Sequence, residues 1–168
     1  CAEFPAVYNA ANRTELRNDA AAEGLDAGPT FGTNGRSYVV WDGFYVNEAE
    51  SPSHPDTGPV VAWASDHVTL ARNVIEGDPI ARDDNHNGVR IEASTNVVVR
   101  ENHIRNIRHA NAPNRNHAAI MTYDSNHITI EHNLAEDCDA GFYLKGDAAP
   151  DPVNGAYTVR YNRLRRLQ

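Results

Sequence analysis

Ser125-Asn126-His127-Ile128-Thr129-Ile130-Glu131-His132-Asn133 has three counterparts in the same chain. Ser65-Asp66-His67-Val68-Thr69-Leu70-Ala71-Arg72-Asn73 and Ser94-Thr95-Asn96-Val97-Val98-Val99-Arg100-Glu101-Asn102 precede it. Asn154-Gly155-Ala156-Tyr157-Thr158-Val159-Arg160-Tyr161-Asn162 follows it. The closing Asn recurs at 73, 102, 133 and 162, so the copies lie 29 to 31 residues apart. Inside each copy apolar residues alternate, as with Val68 and Leu70 around Thr69 or Ile128 and Ile130 around Thr129. A period of two belongs to a strand with one face in and one face out. The runs are too short and too β-branched for helices. One copy cannot bury its apolar face alone, so the copies must stack.

Superposing the copies aligns further columns. Val60, Val89, Ile120 and Phe142 lie upstream, followed by Ala62, Ile91, Thr122 and Leu144. Ile75, Ile104 and Leu164 follow the Asn, with Ala135 a weaker member. Each period therefore carries three short strands. Equivalent residues one period apart imply parallel strands about 4.8 Å apart. The predicted fold is all-β: a parallel solenoid of about five to six coils. An Asn at a turn tolerates unusual backbone angles, and its amide can bond the Asn of the next coil, which predicts a ladder. Upstream, Val39 matches Val68 and Trp41 matches Leu70, while Phe44 replaces the Asn. Coils are thus expected over 28–168. Residues 1–27 lack the repeat and are expected to form a cap or a partial coil; Asn12-Arg13-Thr14-Glu15 reads as a capping box, which points to a short capping helix there.

These strings resemble the right-handed parallel β-helix family, the fold of pectate lyases and related polysaccharide-active proteins. Gly88-Val89-Arg90-Ile91-Glu92-Ala93-Ser94, Tyr38-Val39-Val40-Trp41-Asp42-Gly43-Phe44 and the Asn ladder carry the likeness. It implies the hand of the coil, an exported protein and an acidic polysaccharide as partner. The carrying strings are structural, so the likeness is specific for fold rather than for activity.

The 168 residues make one domain, with a net charge of −8 that disfavours nucleic acid as a partner. No apolar run reaches membrane-span length. Arg160, Arg163, Arg165 and Arg166 crowd the last nine positions. The repeat is still running there, which fits either a piece of a longer β-solenoid or an end-to-end homo-oligomer through an uncapped coil. Of two cysteines, Cys138 sits in a turn and Cys1 leads the chain, the place of an acylated lipoprotein Cys or of a simple cut end.

In a solenoid, function lies on outward strand positions and on loops. The insertions Glu76–Asn87, Asn106–His117 and Asp147–Asn154 flank the face built by the first strands. Arg90, Met121 and Tyr143 share one outward column there; Trp63, Glu92, Tyr123 and Lys145 share the next. His86, His117 and Asp139 lie at its edge, where they can stack as an acid–base or metal-binding set. Aromatics beside charged groups suit sugar rings, and Trp63, Glu92, His86 and Asp139 are the expected substrate contacts. Lys145 is the only lysine. By the family resemblance, β-elimination on a uronate glycan would use Lys145 as base, Arg90 and His117 to neutralise the carboxylate, and Tyr123 or Tyr143 as proton donor. The competing role for Lys145 is an ion pair with Glu92 or Asp147. Glycoside hydrolysis ranks lower because these strands contribute only Glu92 as an acid. Asp83-Asp84-Asn85-His86-Asn87-Gly88 reads as half a calcium loop, with Asp83, Asn85 and Asn87 as ligands, or as a polar turn. The twelfth position is Ser94 where a bidentate Glu belongs. A non-catalytic carbohydrate-binding or surface-structural solenoid is the alternative function.

Overall fold

The computed structural model describes residues 14–16, 29–48, 58–78, 86–110, 116–146 and 156–168. Strand β1 is Thr14–Leu16. The first full coil follows as β2 (Phe31–Gly32), β3 (Val39–Asp42) and β4 (Phe44–Asn47). The second is β5 (Val60–Trp63), β6 (Asp66–Ala71) and β7 (Val74–Glu76). The third is β8 (Val89–Glu92), β9 (Thr95–Arg100) and β10 (His103–Arg105). The fourth is β11 (Ala118–Tyr123), β12 (Asn126–Glu131) and β13 (Leu134–Glu136). The fifth is β14 (Ala140–Leu144), β15 (Tyr157–Arg160) and β16 (Arg163–Arg165).

First strands form one sheet (β2, β5, β8, β11, β14), second strands another (β3, β6, β9, β12, β15), and β1 with the third strands a six-stranded third. The repeat sets this register residue by residue: Val68 pairs with Val97 and Val97 with Ile128, while Val60 pairs with Val89 and Val89 with Ile120. All these pairings are parallel. Inward columns are sealed. Leu70, Val99 and Ile130, and likewise Ile75 and Ile104, are at most 1% exposed. Each such side chain contributes roughly 1.5–3 kcal/mol of burial.

The Asn column is a ladder. Asn73 donates through Nδ2 to Asn102 Oδ1 at 3.1 Å, Asn102 to Asn133 at 3.0 Å, and Asn133 to Asn162 at 3.0 Å. Each Oδ1 also accepts the backbone N–H of the Asn before it, at 2.9–3.0 Å. Phe44, standing in the Asn position, still gives its N–H to Asn73 Oδ1. One expectation needs correcting. The left-handed backbone falls on the residue before each Asn: Arg72, Glu101, His132 and Tyr161 have φ of 53–56°. The Asn itself works through its amide, which bonds the Asn of the next coil. A serine ladder runs beside it, with Ser65 N–H donating to Ser94 Oγ and Ser94 N–H to Ser125 Oγ, both at 3.1 Å.

The expected capping helix is also corrected. Thr14–Leu16, inside the capping-box segment, forms a strand paired in parallel with Phe44–Val46. The free edge of β4 offers a row of backbone hydrogen bonds, and that outweighs a local capping signal. The rest of the proposed cap lies outside the described residues.

Candidate functional site

The outward face of the first-strand sheet assembles as the columns require. Val61, Arg90, Met121 and Tyr143 are successive pairing partners, as are Trp63, Glu92 and Tyr123. The Lys145 backbone N–H donates to Thr122 O at 2.9 Å, which carries the second column one coil further. The alternation of the strand turns these residues outward, and parallel register places neighbours about 4.8 Å apart.

One end of this face is concave. Pro29, Gly32, Asn34, Val61, Trp63, Arg90 and Glu92 line a groove of about 460 Å³. Trp63 is 48% exposed and presents an indole surface. Arg90 Nε donates to Glu92 Oε2 at 2.8 Å, so the charged wall of the groove is an internal ion pair. Arg90 is thereby held by a carboxylate of its own strand, a poor state for neutralising a substrate's charge. Met121 is 1% exposed despite its outward position, so the middle of the face is covered.

The far end carries the lysine. Lys145 Nζ lies 4.6 Å from the centre of the Tyr143 ring and 3.4 Å from Asn116 Oδ1. Tyr123, 43% exposed, stands on the neighbouring coil. Asp147, the other suggested partner of Lys145, lies outside the described residues.

The edge histidines are elsewhere. His86, His117 and Asp139 do stack on successive coils, but all three are buried. Ring centres of His86 and His117 are 5.7 Å apart, and His117 Nδ1 lies 4.0 Å from Asp139 Oδ2. Asp139 Oδ2 accepts the His109 N–H at 2.8 Å. His86 Nε2 meets Glu48 Oε2 at 2.6 Å, both side chains only 3% exposed. These residues form a polar corner between the third and first sheets, closed to a large ligand. His117 as carboxylate neutraliser, and His86 and Asp139 as substrate contacts, are therefore corrected: position three before the inward column turns into the corner. Nearby, Asp78 has its pKa raised by burial and by the Glu48 charge, and burial pushes the Cys138 thiol up to about 12.

Glu48 and Asn116 escaped the sequence reading. Glu48 lies 38 residues from His86, across a long insertion, whereas the columns around it run 29 to 31 residues apart. Asn116 sits at the end of another insertion, with no column to place it.

Half of the calcium motif, Asp83 and Asn85, lies outside the described residues. Asn87 is wholly buried, with Nδ2 donating to Asn116 O at 2.7 Å, and belongs to the corner. Among the described residues no group of three or more His, Cys, Asp or Glu is arranged to hold a metal.

A family profile described as "Right handed beta helix region" matches residues 32–168. The chain belongs to the right-handed β-helix family. No curated protein and no solved structure matches it. Membership fixes the hand of this β-helix and its coil architecture, and does not choose among the chemistries such coils support.

Proposed function

We propose that this β-helix is an exported protein that binds an acidic polysaccharide on the outward face of its first-strand sheet. The observation that carries the reading is the groove at Trp63. An exposed indole at a concavity, with the Arg90–Glu92 pair beside it, offers a stacking surface for the apolar face of a sugar and polar partners for its hydroxyls. Lys145 supplies a cation at the opposite end of the face for a uronate carboxylate. The expected result is retention on immobilised pectate or alginate. Trp63→Ala should weaken binding about tenfold, the loss of one aromatic stack of about 1.4 kcal/mol, with an unchanged melting temperature. Equal retention of Trp63→Ala and wild type would sink the groove.

Catalysis is the second reading, a polysaccharide lyase. What favours it is the convergence of Lys145, Tyr143 and Tyr123 on adjacent strands. The Lys145 amine would take the proton next to the uronate carboxylate. The freed electron pair would form the carbon–carbon double bond as the glycosidic carbon–oxygen bond breaks, and a tyrosine hydroxyl would protonate the departing oxygen. The unsaturated product absorbs in the ultraviolet. Product formation that Lys145→Ala abolishes, with retention intact, supports the lyase. Retention without product leaves a binding protein.

A further inference from the structure

The Trp63 groove carries a charge pattern that discriminates between sugars. Arg90 and Glu92 are the only charged residues that line it. Their ion pair, at 2.8 Å, leaves the lining with no net charge. The two halves of the pair are not equally presented. The Glu92 side chain is 28% exposed and the Arg90 side chain 14%, so the groove turns more carboxylate than guanidinium towards solvent.

Register fixes where this carboxylate acts. Glu92 pairs with Trp63 across β5 and β8, and Arg90 pairs with Val61. Paired strands lie about 4.8 Å apart, so Glu92 stands one strand spacing from the indole on the same outward column. A sugar stacked on Trp63 therefore brings its substituents to Glu92. A hydroxyl there donates a hydrogen bond to the carboxylate, whereas a uronate carboxylate meets a like charge. The other end of the face differs. Lys145 stands three coil spacings along, roughly 14 Å away. Its Nζ faces the Tyr143 ring and Asn116 Oδ1, with no carboxylate partner among the described residues.

Resting on the reading of this face as a glycan-binding surface, we infer that the Trp63 groove is a neutral-sugar subsite whose specificity is set by Glu92. The polysaccharide it serves is then a mixed one, with neutral units for Trp63 and uronates for Lys145.

Pectin tests this, because methyl esterification removes the uronate charge and keeps the ring. Half-esterified pectin should bind the protein about fivefold more tightly than fully de-esterified pectin, the effect of one like-charge contact of about 1 kcal/mol. Glu92→Gln should remove that preference. Arg90→Gln, which takes the cation from the carboxylate, should increase it. The two shifts run in opposite directions, so either variant suffices if the other fails to fold, which melting temperatures will show. Equal or tighter binding of the de-esterified polymer, still weakened by Trp63→Ala, would overturn the inference and leave the binding face standing. Folded variants that keep the wild-type preference would do the same. Binding of neither polymer, or binding indifferent to Trp63→Ala, would overturn both.

Discussion

Asn102 shows how much one side chain holds in this fold. Its Nδ2 donates to Leu70 O, Arg100 O and Asn133 Oδ1 at 2.9–3.0 Å, and its Oδ1 accepts from both nitrogens of Asn73. The residue has no solvent exposure, so truncation leaves these groups without water to replace the lost bonds. Asn102→Ala should cost about 2–3 kcal/mol, read as a lower urea midpoint. Asn162, at the outer end of the same ladder and partly exposed, should cost only about 1 kcal/mol on the same change. Equal losses at the two positions would mean that burial is not what gives the ladder its strength.

Between elements, glycine sets how closely coils approach. A β-carbon on Gly88 would lie 2.4 Å from Ile104 Cγ2 and 2.7 Å from Ala119 O. Neither the adjacent core nor the backbone of the next coil can yield so far, and Gly88→Ala should lower stability by about 1–3 kcal/mol in denaturant titration. This tight fit between the first and third sheets was invisible in the sequence, where Gly88 reads as a turn residue. The strand columns were legible because side-chain alternation and coil period leave no freedom: Val39 and Trp41 were placed against Val68 and Leu70, and they pair so. Trp63, Glu92 and Tyr123 were placed on one outward line for the same reason. The corner was not legible. There the chain turns, alternation stops, and His86 and His117 swing inward, where periodicity says nothing of direction. The helix expected near Thr14 failed because a capping box reports only local preference, while β4 supplied a partner from far along the chain.

For the molecule as a whole, acid should be the vulnerable direction. His103 is mostly buried on the third sheet, with Nε2 3.1 Å from Glu136 Oε2. Burial holds its pKa below the ordinary imidazole value of about 6.5; Arg105 acts in the same direction, while Glu136 and Glu76 oppose it. A depressed folded-state pKa means the unfolded chain binds the proton more readily. The contribution of His103 to stability is therefore present above about pH 6.5 and is lost as pH falls through its folded value. Thermal melts across that window should show a declining midpoint, flatter in His103→Gln. A midpoint that rises on acidification would show that the Glu136 contact, rather than burial, governs this imidazole. The ladder has a further consequence for how such a chain can change length. Each amide gives in one direction and receives from the other, so any splice must restore the same phase. Removing Ser94 through Asp124 would bring Asn133 under Asn73 with every column intact, whereas an excision that is not one whole coil would leave the columns out of step. Growth and shrinkage of this molecule are quantised, and its natural unit of change is one complete turn.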